Sequence, residues 1–83
     1  AQNVMVASGC IIEGDVENSV IFRGVKVAKG ATVKNCILMQ DTVVEAGANI
    51  EYLITDKDVT ISAGKEMKGT DTFPVYIGKG QTV

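Results

Sequence analysis

The chain has 83 residues, enough for one small domain, and a conventional globular core of that size would be marginal. Hydrophobic residues make up 46% of it but aromatic ones only 5%, with no Trp and a single Pro, which favours a core of small aliphatic side chains over one built on rings. A net charge of −2 gives no electrostatic reason to bind nucleic acid or an anionic membrane, no apolar run approaches the ~20 residues of a membrane span, and the absence of histidine removes imidazole chemistry altogether.

The first residue is Ala1 rather than Met, and no signal peptide opens the chain. It therefore reads as one domain, residues 1–83, cut from a longer cytoplasmic protein. Two cysteines, Cys10 and Cys36, are too few for a disulfide framework. In the register set out below they fall on different faces, so two reduced thiols are expected, as in the cytoplasm.

One phrase recurs. Val27 to Val33 reads V-x-x-G-x-x-V; Val44 to Ile50 repeats it 17 residues on, Ile61 to Met67 another 17 on, and Ile77 to Val83 16 further. Copies at a near-fixed period mark a repeat array, in which each repeat buries its face on its neighbours. Helix is a poor reading, since Val, Ile and Thr dominate and no run of period 3.6 outlasts two turns. A hairpin meander would not place its turns at one interval. A β-solenoid does, because its short strands turn corners while the chain climbs one strand spacing, ~4.8 Å, per coil.

Taken in order, residues 1–15 fit loosely. Val4 and Cys10 hold the register 17 residues before Ile21 and Val27, but Gly14 lies one place past where a glycine is expected, as in an atypical terminal repeat. The next coil places Val16 and Val20, then Ile21 and Val25, inward. From Val27 the strand starts are Val27, Val33, Leu38 and Val44, with Ala31, Ile37 and Thr42 as second inward positions. The following coil repeats this with Val44 and Ala48, Ile50 and Ile54, Thr55 and Val59. After Met67 the rhythm loosens: Lys65 and Gln81 replace the small Ala31 and Ala48, and Phe73-Pro74 interrupts a strand. The last coil is expected to loop out, with Phe73 and Tyr76 near a boundary. The fold class is all-β, a parallel β-helix of about five triangular coils.

The register predicts positions it was not built from. Glu17, Lys34, Glu51 and Lys68 fall on one outward ladder and alternate in charge, which suits strands stacked in parallel and in register. Asn18 stacks on Asn35. Gly30, Gly47 and Gly64 stack where a corner needs φ > 0.

Catalytic sites are scarce. Hexapeptide solenoids are often acyltransferases with a histidine base, and this chain has none. A zinc centre of carbonic-anhydrase type fails for the same reason. The Thr residues scatter, against an ice-binding ladder, and no phosphate loop of Walker type is present. Asp56-Lys57-Asp58 reads as a solvated corner. Arg23, Lys26 and Lys29 are the densest basic group and the candidate contact for an effector phosphate or a neighbouring subunit. No catalytic, cofactor-binding or metal residue is expected. The open strand edges at the ends of a solenoid call for cover by another domain or subunit.

The run from Gly9 to Ile61, with Glu17-Asn18-Ser19-Val20-Ile21-Phe22 and Leu38-Met39-Gln40-Asp41, resembles the C-terminal domain of bacterial glucose-1-phosphate adenylyltransferases (ADP-glucose pyrophosphorylases). The tail, with Lys68-Gly69 and Pro74-Val75-Tyr76-Ile77, resembles the GlgD-type second subunit of glycogen biosynthesis. The resemblance implies a left-handed coil. It implies a full-length protein that converts ATP and glucose 1-phosphate to ADP-glucose and pyrophosphate with magnesium. That chemistry belongs to an N-terminal nucleotide-binding domain with a G-G-x-G-x-R-L loop, which these residues lack. The β-helix is then an assembly and regulatory domain, partnered by its own catalytic domain and by subunits of a homo- or hetero-tetramer. A GlgD-type parent would be weakly active or regulatory. The rival readings are a domain of another sugar-nucleotidyltransferase or hexapeptide acyltransferase, and a stand-alone scaffold.

Overall fold

The computed structural model of the chain describes residues 4–70, 72 and 74–83. Thirteen short strands follow one another: β1 (Met5–Val6), β2 (Ile11–Ile12), β3 (Asp15–Glu17), β4 (Val20–Ile21), β5 (Lys26–Val27), β6 (Thr32–Lys34), β7 (Ile37–Leu38), β8 (Val43–Val44), β9 (Asn49–Glu51), β10 (Leu53–Thr55), β11 (Thr60–Ile61), β12 (Glu66–Lys68) and β13 (Val75–Ile77). Strands of two or three residues have no stability alone. They persist because each pairs in parallel with a strand one coil away.

Three parallel sheets result. Face I runs β1-β4-β7-β10-β13, face II β2-β5-β8-β11, and face III β3-β6-β9-β12. The chain visits I, II and III in turn and then climbs, which makes a parallel β-helix of triangular section. Among the described residues it forms four complete coils and a thirteenth strand. Division of the length by 17 suggests five, but the coil leading to β13 takes more than its share.

In the regular middle, Val16, Val33, Ile50 and Met67 form one column with partners 17 apart. Most corners turn on one residue with positive φ. Asn18, Asn35 and Tyr52 turn III into I; Gly9, Gly24, Asp41, Asp58 and Gly80 turn I into II; Gly30, Gly47 and Gly64 turn II into III. The charge ladder is confirmed: Glu17 pairs with Lys34, Lys34 with Glu51, and Glu51 with Lys68, the middle two half-buried.

Both outer coils depart from the period. Val6 pairs with Ile21 and Ile12 with Val27, a spacing of 15. Val4 and Cys10 therefore do not lie on Ile21 and Val27. The Met5 amide donates to the Ser19 carbonyl and the Ile11 amide to that of Val25, which sets Val4 over Ser19 and Cys10 over Val25. The shortening falls at the corner between β2 and β3. There a Cβ on Gly14 would lie 2.5 Å from the Ala31 carbonyl oxygen and 2.7 Å from that of Ala28. Gly14 is thus out of step because it serves close approach, not a left-handed turn.

At the other end, Leu53 pairs with Val75 and Thr55 with Ile77, 22 apart. The last coil is five residues longer than the 17-residue period, and the extra length lies between β12 and β13. Phe73 lies outside the described residues, and Tyr76 is exposed on face I. The fourth copy of the repeated phrase is consequently one face out of step: Ile77 stacks on Thr55, not Ile61. Val83 takes the place beside Ile61, where the Ser62 amide donates to its carbonyl at 2.9 Å.

The core lies along the axis in six inward columns, five of them as expected and all but sealed from solvent in the middle coils. The sixth is a correction. Ser19, Cys36 and Leu53 point inward, not Val20, Ile37 and Ile54. The III-to-I corner spends a single left-handed residue, so the very next side chain faces in. Polar atoms are tolerated there because they are satisfied. Ser19 Oγ donates to the Glu17 carbonyl at 2.7 Å and accepts from the Cys36 amide at 3.1 Å, and Cys36 Sγ donates to the Lys34 carbonyl at 3.1 Å.

Candidate interaction face

That one-residue difference decides what face I shows to solvent. With Ser19, Cys36 and Leu53 turned in, the residues after them turn out. Met5, Val20, Ile37, Ile54 and Tyr76 then form one outward row, each paired with the next across all five strands. Met5 is 71% exposed and Tyr76 61%; Val20 and Ile37 are more than a third exposed. Phe22 is exposed beside them, and Met5, Val20 and Phe22 border a shallow apolar groove of about 370 Å³ at the β1–β4 end. Scattered surface hydrophobes are ordinary, but a contiguous apolar row is the usual mark of an interaction surface.

The other two faces are different. Face II alternates Ile11, Lys26, Val43 and Thr60 outward, with Glu13 and Glu45 beside Lys26 in a shallow depression. Face III carries the charge ladder. The strands of face I contain no Lys, Arg, Asp or Glu. The first charge beside its row is Asp56, whose carboxylate accepts from the Tyr76 hydroxyl at 2.9 Å and the Lys57 amide at 2.7 Å.

Arg23, Lys26 and Lys29 are all exposed and lie on one coil. Arg23 sits beside the Gly24 corner, Lys26 on the flat of face II, and Lys29 beside the Gly30 corner. Lys26 shares the lining of a shallow depression with Glu13 and Glu45. The row on face I escaped the sequence reading. The signal for it was the Asn-Ser and Asn-Cys pairs at 18–19 and 35–36: a polar pair repeating at the coil period marks a corner, and so fixes which aliphatic residue follows outward.

Among the described residues no three potential metal ligands converge. Cys36 is buried and its thiol is pushed up to about 11, chiefly by desolvation, which leaves it a poor nucleophile. No described helix is long and apolar enough to cross a membrane.

Comparison with known proteins agrees with this architecture. Residues 1–72 match the family described as GlmU-like, C-terminal hexapeptide. The glycogen biosynthesis protein GlgD of Geobacillus stearothermophilus is 69% identical over 29 residues, which is 35% of this chain and 8% of that protein. GlgD of Bacillus subtilis (strain 168) is 52% identical over 33 residues, 40% of this chain and 10% of that protein. The glucose-1-phosphate adenylyltransferase of Geobacillus stearothermophilus is 57% identical over 30 residues, 36% of this chain and 8% of that protein. The matched stretch thus spans a tenth or less of the length of these relatives. With the fold, the repeat and the family match in agreement, the chain belongs to the GlmU-like C-terminal hexapeptide family.

Proposed function

We propose that the chain is the assembly and regulatory β-helix of a glucose-1-phosphate adenylyltransferase subunit in glycogen biosynthesis, nearest in kind to the GlgD type. The observation that carries this reading is face I, an uncharged apolar row over the full stack, beside the stretches shared with GlgD and glucose-1-phosphate adenylyltransferase. In this reading ATP, magnesium and the formation of ADP-glucose and pyrophosphate from glucose 1-phosphate belong to a separate nucleotidyltransferase domain in the cytoplasm. The β-helix supplies rigid faces to that domain and to neighbours in a homo- or hetero-tetramer. Arg23, at the corner bordering face I, is the one basic candidate positioned to edge such a contact.

The test is assembly in trans. The 83-residue chain is mixed with a glucose-1-phosphate adenylyltransferase truncated before its hexapeptide region, and mass and ADP-glucose release are followed together. The expected result is a larger particle and faster turnover. A chain that is folded by circular dichroism, yet changes neither, overturns the reading.

A further inference from the structure

We propose that residues 75–83 are a terminal coil with two registers: they cover faces I and II as observed, and slip by one face to cover II and III. The proposal stands apart from the proposed function and needs no partner.

Two signals in the chain disagree here. By pairing, Ile77 lies on Thr55 and Gly80 turns I into II. By pattern, Ile77, Gly80 and Val83 repeat Ile61, Gly64 and Met67 at 16 residues, a step between the 15 and the 17 of the other coils. A slip of one face sets Ile77 on Ile61, Gly80 on Gly64 and Val83 on Met67. Register is weakly held where a buried pattern fits in two places.

The pivot is Gly69. Its amide donates to the Glu51 carbonyl at 2.8 Å, as the Tyr52 amide does to that of Lys34 at 3.1 Å and the Asn35 amide to that of Glu17 at 3.0 Å. The III-to-I corner after β12 thus already keeps the 17-residue step. Continued, that step lays Thr70 and Thr72 on Leu53 and Thr55. In the observed register Val75 and Ile77 take those places, five residues late. They bury more apolar surface there than two threonines would, and the Tyr76–Asp56 hydrogen bond favours the same register. The slipped register returns Ile77 to an aliphatic column and gives β12 a neighbour.

The Gln81 carbonyl marks the switch. It accepts from the Thr60 amide at 2.9 Å on face II. On face III the amides of Asp15, Thr32 and Asn49 donate to the carbonyls of Ala31, Ala48 and Lys65 one coil on. The matching acceptor for the Glu66 amide is Gln81, which only the slip brings there. The observed register therefore leaves β12 an open edge, and the slipped one covers it. A neighbouring strand that pairs with β12 would hold the chain in the observed register.

Paired cysteines in a Cys10→Ser background report the register, because stacked residues lie within disulfide reach. Thr55→Cys with Ile77→Cys should link fastest. Ile61→Cys with Ile77→Cys should link more slowly, yet at least tenfold faster than Val44→Cys with Ile77→Cys, which neither register brings together. Removal of residues 70–74 makes the observed register the regular 17-residue one, and should abolish the link between positions 61 and 77. Tyr76→Phe should speed that link about fivefold, as the loss of one opposing hydrogen bond does. Without added cysteines, Thr70→Val with Thr72→Ile and Tyr76→Phe should make the slipped register the major one, seen as at least tenfold slower amide exchange at Glu66. A 61–77 link no faster than the Val44 control, or undiminished by the deletion, means fraying and not a second register, and overturns the proposal. Unchanged exchange at Glu66 in a folded triple variant overturns it as well.

Discussion

The Tyr76 hydroxyl donates to Asp56 Oδ2 at 2.9 Å and so ties β13 to the end of β10, one coil away. The Lys57 amide first, and then the Tyr76 hydroxyl, hold the Asp56 carboxyl below its ordinary range; Asp56 in return raises the Tyr76 hydroxyl. A lowered carboxyl adds stability above its unfolded pKa and loses it as pH falls through the folded value. A raised phenol adds stability below its unfolded pKa and loses it as pH rises through the folded value. Strand β13 should therefore loosen in acid below the usual carboxylate range and again in alkali above the usual phenol range. NMR signals of the Val75 and Ile77 methyls report it. Tyr76→Phe should shrink the acid limb, because the Lys57 amide remains, and abolish the alkaline one.

Gly14 stands where a methyl group would press on two backbone carbonyl oxygens. Gly14→Ala should cost about 1–3 kcal/mol, as overpacking does, seen as a lower urea midpoint. Ser8→Ala, at an exposed position, should be nearly neutral. Equal midpoints for the two variants would mean that the corner yields without strain.

Leu53 is fully buried, and its neighbour Ile54 lies on the outward row. Leu53→Ala should cost about 2–5 kcal/mol, and Ile54→Ala less than about 1 kcal/mol, measured on dilute monomer by denaturant unfolding. The reverse ranking would return the sixth column to Val20, Ile37 and Ile54.

The two thiols should separate chemically. Cys36 is buried and its thiol is raised to about 11, so at pH 8 its thiolate is about a thousandfold scarcer than its thiol. Cys10 is half-exposed. Iodoacetamide followed by mass spectrometry should modify Cys10 in the native chain and Cys36 only after unfolding.

Much of this was legible in the residues. Val, Ile and Gly at a 17-residue interval specify a parallel stack, and the Glu17–Lys34–Glu51–Lys68 alternation reports its register independently. Four things hid the rest. Ser19 and Cys36 are polar, so a search for aliphatic columns passed over them in favour of Val20 and Ile37. Tyr52 is a bulky residue in the left-handed region, which no pattern announces. Gly78-Lys79-Gly80 imitates the II-to-III corner, yet Gly80 turns I into II, in line with Asp41 and Asp58. Arg23, Lys26 and Lys29 are close in sequence, and the fold sets them at two corners and on the face between.

Coils with spacings of 15, 17 and 22 share the same three continuous sheets. Every change in length is absorbed at a corner and none on a face. Length is thus a free variable at the edges of the prism and a fixed one on its sides. The edge after Lys68 already carries the longest such excursion, so it is a natural socket for grafting: a peptide spliced between β12 and β13 would hang from one edge and leave all three sides in register.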